Sequence, residues 1–101
     1  MKTFRCYQMA RSFYLAATAL TLARPLGDQL RRASSGIALT LAEGYGRQSL
    51  ADQRRFFAMA MGSIRECQAI FDLSGDAVTA ALHDELDHLA AAVWRLLHSR
   101  A

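Results

Sequence analysis

Nine arginines fall within the first 65 residues; with Lys2 they make ten positive charges against three acids (Asp28, Glu43, Asp52), a local balance of +7. Residues 66–101 hold Arg95 and Arg100 against six acids, a balance of −4, so the modest net charge of +3 hides a polarity between the two parts. A guanidinium plane offers two parallel donors to a phosphate. Arg31, Arg32, Arg47, Arg54 and Arg65 are the residues placed to use them against a nucleic-acid backbone. Arg54 and Arg65 share the outer face of one expected helix, and Arg47 lies just before it. Arg31 and Arg32, with Arg24 nearby, add charge at the far end of the preceding helix. No aromatic residue is interleaved with these arginines as a base-stacking platform requires, so the expected binding is backbone-driven and salt-sensitive. The competing expectation is that Arg32, Arg55 and Arg31 pair internally with Glu43, Asp52 and Glu66, in that order.

Other chemistry is poorly supplied. Gly44-Tyr45-Gly46 could cradle a phosphate, but it follows a helix instead of opening one after a strand. Glu66 as a general base would need a second group, and none is in view; it reads as a partner for Arg31 or Arg32. In His83-Asp84-Glu85-Leu86-Asp87-His88 the two histidines point about 140° apart on a helix, whereas zinc takes three or four convergent ligands. A ferritin-like site needs Glu-x-x-His pairs on two helices, and none exists. The expectation is therefore no enzyme, no metal and no cofactor. Cys6 and Cys67 have no CxxC companion and read as two buried thiols in a reducing cytoplasm.

The elements that must position these residues are helices. Helix one is expected over 3–23, with Cys6, Met9, Phe13, Ala16 and Leu20 on one stripe. Phe4, Tyr7, Tyr14, Leu15 and Leu22 form a second stripe nearly opposite. One apolar face suffices in an isolated bundle, so two stripes predict a helix sandwiched against another copy. Lys2 and Arg5 ahead of Ser12–Ala23 superficially resemble a secretory leader. Arg11, Arg24 and the helical periodicity place that run in the mature fold, and no segment reaches the ~18 uncharged apolar residues of a membrane span.

Pro25 and Gly27 break the first pattern, and helix two is expected over 28–43, opening at Asp28. Leu30, Ala33, Ile37 and Leu41 form its seam, while Leu39 stands alone on the polar side with Arg32, Ser35 and Glu43. Gly44 is expected as a left-handed cap and Gly46 as a second permissive position. Helix three is expected over 50–73, capped by Ser49 with Asp52 three residues on. Its seam is Phe56, Met59, Ala60, Ser63, Cys67 and Ile70, widened by Phe57, Met61, Ile64 and Phe71. Gly62 costs ~1 kcal/mol against alanine mid-helix, so close approach of a neighbouring helix is expected there. Ser63 can bond back to a carbonyl or across to that neighbour. After the turn Ser74-Gly75-Asp76, helix four is expected over 77–98 on Val78, Leu82, Leu89, Val93 and Leu96. Trp94, off that seam, reads as an edge or inter-subunit anchor.

Four matched helices with short connections predict an all-α, up-down-up-down antiparallel four-helix bundle in a single domain, and the double-striped helices predict a homo-oligomer.

Gln29-Leu30-Arg31-Arg32-Ala33, Ala42-Glu43-Gly44-Tyr45-Gly46-Arg47 and Gly62-Ser63-Ile64-Arg65-Glu66, in this order, resemble the motifs of the bundle family named after proteins encoded in 23S rRNA intervening sequences. The same superfamily includes the accessory variability protein of diversity-generating retroelements. Many members carry asparagine where Thr40 stands, and the loop around Pro25 is shorter than usual. The resemblance implies a ring-like homopentamer of a bacterial protein. From the retroelement branch it implies a basic surface for RNA or DNA and a reverse transcriptase partner. The functions expected are thus a non-enzymatic nucleic-acid-binding oligomer or, alternatively, a scaffold for a protein partner.

Overall fold

The four amphipathic stretches form four α-helices: α1 (Arg5–Ala17), α2 (Leu26–Tyr45), α3 (Leu50–Ser74) and α4 (Ala80–Leu97). They are seen in a computed structural model that describes residues 4–99; the expected start of the first helix at Thr3 lies outside these residues. No strand occurs among the described residues. α1 and α3 each pack against both α2 and α4, as four helices around a shared core do. Phe13, Ile37, Leu41, Ile64, Phe71, Leu86, Leu89 and Val93 fill that core and are sealed from water.

The seam expected on α2 is all buried, and Leu39 is 67% exposed on its far side. On α3 the buried face is Phe57, Ala60, Ile64, Cys67, Ile70 and Phe71, so it is rotated away from Met59, which lies on the surface. α1 buries Cys6, Ala10, Phe13 and Ala17. Its second stripe faces outward, with Phe4 and Leu15 exposed and Tyr7 and Tyr14 half-buried.

Several boundaries differ from expectation, each for a local reason. α1 stops at Ala17, six residues short of Ala23. The Thr18 hydroxyl donates to the Tyr14 carbonyl at 2.8 Å, and the next two amides close tighter three-residue turns onto Ala16 and Ala17. Such turns end a helix. Leu20, Leu22 and Leu26 then pack over the end of the core. α2 begins at Leu26, directly after Pro25, a residue suited to a helix start because it has no N–H to satisfy. Asp28 therefore sits inside the first turn, where a carboxylate meets the positive end of the helix. α4 begins at Ala80 because the Thr79 hydroxyl accepts from the Leu82 amide at 3.2 Å. Val78 is buried ahead of the helix.

Two glycines act differently from the sequence reading. Gly44 is not a left-handed cap: α2 continues through it to Tyr45, and only Gly75 among the described residues has positive φ, +59°. Gly44 is buried because a Cβ there would stand 2.6 Å from Phe57 Cε1. Gly36 makes the same kind of room for Ser63, whose Oγ would lie 3.2 Å from its Cβ. The close approach expected at Gly62 is absent, since nothing lies within 4 Å of a Cβ built there. The small residues that admit α3 are thus on α2.

Equilibrium unfolding in urea separates these roles. Gly44→Ala should destabilise by about 1–3 kcal/mol through overpacking. Gly62→Ala should stabilise by about 0.5–1 kcal/mol, as removal of a mid-helix glycine with open space around it does.

Candidate nucleic-acid interface

The connection from α2 to α3 is short and well tied. The Ser49 hydroxyl accepts from the Asp52 amide at 3.1 Å, the cap read from the sequence. Gln53 Nε2 donates to the Arg47 carbonyl at 3.0 Å and folds the connection onto α3. Arg47 is thereby brought over the Phe56 ring, its guanidinium carbon 4.5 Å from the ring centre. Arg55 reaches the same ring at 4.6 Å. Arg47 Nη2 donates to Glu43 Oε2 at 2.7 Å, and Arg55 Nη2 donates to Asp52 Oδ1 at 3.1 Å. Each guanidinium is held by the ring and by a carboxylate on its own side of the corner.

This arrangement corrects the sequence reading twice. An aromatic residue does stand among the arginines, although guanidinium groups rather than bases cover its ring. Arg55, absent from the expected phosphate contacts, is half of the pair. Phe56 falls on the expected core seam but lies at its edge, only partly buried, and a seam position conceals that difference.

The five expected arginines do not form one patch. Arg54 Nη2 donates to the Ser99 carbonyl at 2.9 Å, joining the start of α3 to the end of α4. Arg65 donates to Gln68 Oε1 at 3.0 Å; eleven residues from Arg54, it lies within about 20° of the same line and ~16 Å along it. Arg31 pairs with Asp28 at 3.1 Å, and Arg24 also approaches Asp28. The expected pairing of Glu66 with Arg31 or Arg32 does not form, because Asp28 lies one turn from Arg31 on the same helix. Glu43 pairs with Arg47, not Arg32. Arg55–Asp52 is the expected internal pair that does form. Arg32 is exposed and has no ion pair among the described residues.

Ser63 lies against Gly36 across the α2–α3 contact. The Thr40 hydroxyl, at the position where asparagine is common in the resembling proteins, turns back to the Gly36 carbonyl at 2.7 Å. His83 packs edge-on against Phe71 with ring centres 5.3 Å apart. Among the described residues no three His, Cys, Asp or Glu side chains converge.

Cys6 and Cys67 are free, buried thiols. Burial, with a lesser push from the Glu66 charge, raises the Cys67 thiol to about 12. Burial raises Cys6 too, against the opposing influence of Tyr45, Arg95 and Arg5. The Tyr45 hydroxyl, near enough to perturb Cys6, is itself raised mainly by burial. Among the described residues it has no hydrogen-bond partner.

The family model for the 23S rRNA-intervening sequence protein matches residues 2–99. The chain belongs to that family. No curated protein matches it. In this member of the 23S rRNA-intervening sequence protein family, Ala42–Arg47 builds the corner around Glu43 and Gly44. Gly62–Glu66 contributes Ser63 to the same α2–α3 contact, and Gln29–Ala33 opens the seam of α2.

The raised Cys67 thiol has a testable sign. Its ordinary value of 9.0 applies in the unfolded chain and about 12 in the folded one, so folding favours the protonated thiol. That contribution is complete below pH 9 and fades as pH rises toward 12. Unfolding free energy followed by chemical denaturation should fall across this window, and Cys67→Ala should flatten the fall.

Proposed function

We propose that this protein is a non-enzymatic bundle that assembles with copies of itself and binds the phosphate backbone of RNA or DNA at the α2–α3 corner. The carrying observation is that Arg47 and Arg55 share the Phe56 ring at 4.5 and 4.6 Å. An arginine free in solution loses roughly 2 kcal/mol of rotamer freedom when fixed; here the ring has already restricted both. Their carboxylate partners are exposed, and exposed pairs contribute about 0–1 kcal/mol, so a phosphate can displace them at small cost. Arg32 lies on the edge of α2 that includes Gly36 and Glu43, toward α3, and extends the same side. The family's name, which mentions an rRNA intervening sequence, leans the same way.

Up-down-up-down order is supported by which ends meet. Phe4, Tyr45 and Phe57 pack edge-to-face in series at 5.2 and 5.3 Å, while Phe71 contacts Phe13 and His83. Self-association, with a pentameric ring as the form the family resemblance implies, is supported by exposed Leu15, Leu39 and Trp94. Free thiols fit a reducing compartment such as the cytoplasm, and no helix among the described residues is long and apolar enough to cross a membrane. The alternative is a scaffold for a protein partner such as a reverse transcriptase. The observation favouring it is that Arg31, Arg47 and Arg55 already have carboxylates within reach.

A mobility-shift assay with generic RNA and DNA at two salt concentrations tests this reading. Arg47→Gln with Arg55→Gln should weaken binding and reduce the salt slope by about 0.7–0.9 per lost contact. Arg54→Gln with Arg65→Gln, on the other flank of α3, should do less. Unchanged affinity in the first pair would remove the corner from consideration, and capture of one protein at high salt without any nucleic-acid binding would favour the scaffold.

A further inference from the structure

The outer side of α1 and α2 carries an apolar groove with two clefts of about 360 and about 340 Å³. Phe4, Tyr7 and Tyr45 bound the first, and Tyr14, Leu15 and Leu39 the second. Among the described residues Arg11 is the one charged residue lining either cleft, and it has no ion pair with any of them.

The chain also carries a knob. Trp94 is 52% exposed on α4, its indole stacked on His98 with ring centres 4.0 Å apart. Asp87 stands seven residues earlier, which places it within about 20° of the same line and ~10 Å along the helix. Asp84 and Asp87 are exposed and have no ion pair among the described residues. On α1 the separation from Phe4 to Arg11 is again seven residues, ~10 Å.

Knob and groove lie at the same level of the bundle. Arg54, at the start of α3, holds Ser99 at the end of α4. Phe57, one turn further along α3, packs edge-to-face with Tyr45, which packs likewise with Phe4. Trp94 and the first cleft therefore share one end of the molecule, and Asp87 and Arg11 both lie ~10 Å inward from it.

We infer that a second copy of this chain docks its α4 edge in the α1–α2 groove, seating Trp94 in the cleft of Phe4, Tyr7 and Tyr45 and pairing Asp87 with Arg11. The occupant is fixed by charge as well as shape: an apolar groove with one unpaired arginine meets an edge with two unpaired carboxylates. Among the described residues the charges of opposite sense to set against that edge are Arg95, Arg54 and Arg65. Arg95 lies about 100° round α4 from Trp94, on the side of Cys6. Arg54 is engaged by Ser99, and Arg65 by Gln68. Knob and groove are different surfaces, so the contact is head-to-tail and repeats from copy to copy until rotation closes a ring. A buried tryptophan at the centre of such a contact is the usual seat of binding energy.

The inference rests on the proposed self-association and can fail separately from it. Trp94 is the only tryptophan, so its fluorescence reports the contact in the unmodified protein. With mass followed by light scattering, emission should move to shorter wavelength and acrylamide quenching should drop as copies assemble. Trp94→Ala, Arg11→Asp and Asp87→Arg should each weaken assembly roughly thirtyfold with helix content unchanged by circular dichroism. Mixing the Arg11→Asp and Asp87→Arg proteins should restore association. An assembly in which Trp94 stays fully quenchable and the three variants assemble normally would overturn this interface and leave self-association standing. A single-copy mass at every concentration would overturn both.

Discussion

The closeness of α2 to α3 is the constraint on which the remaining features depend. Gly36 and Gly44 leave the backbone of α2 bare where Ser63 and the Phe56–Phe57 pair press against it. A methyl at Gly44 would collide with the Phe57 ring, which also supports Tyr45 and, through it, Phe4. Interiors packed at crystal-like density transmit such a displacement instead of absorbing it. The corner that holds Arg47 and Arg55 is thus a product of the same contact that closes the core.

The helices and most seam residues were legible because burial imposes a 3.6-residue period on side-chain type. Leu30, Ala33, Ile37 and Leu41 show this on α2, and Ser49 shows that a cap is equally readable. Glycine roles were not readable, because a missing Cβ serves a left-handed turn or a close neighbour equally well. Gly44 turns out to serve the close neighbour instead of the turn, and Gly62 serves neither. Arg55 and Phe56 were missed for a related reason: their meeting with Arg47 depends on how a four-residue connection folds, and helical spacing carries no information about that. Glu66 shows the same limit in charge, since a local carboxylate, Asp28, reached Arg31 first.

The surfaces lie on different elements and meet at one point. The corner of Arg47, Phe56 and Arg55 belongs to the α2–α3 connection and the start of α3, whereas the groove lies across α1 and α2 and the tryptophan edge on α4. Gly46, which lines the first cleft, is the neighbour of Arg47. Repetition of one modest phosphate contact around an assembly multiplies its effect through local concentration, provided one strand can span the corners.

α1 has 13 residues against 25 in α3, and residues 18–25 continue from its end, with Leu20 and Leu22 packed against the core and Leu22 close to Leu73 and Ala77. A lid built from turns holds fewer backbone amides in long ladders than a helix of equal length. Amide hydrogens there should exchange with solvent by partial opening, while those in the middle of α2 and α3 wait for the whole molecule to open. The stretch with the fewest ladder hydrogen bonds thus lies at the end remote from Trp94, away from the surface the chain would offer to its neighbours.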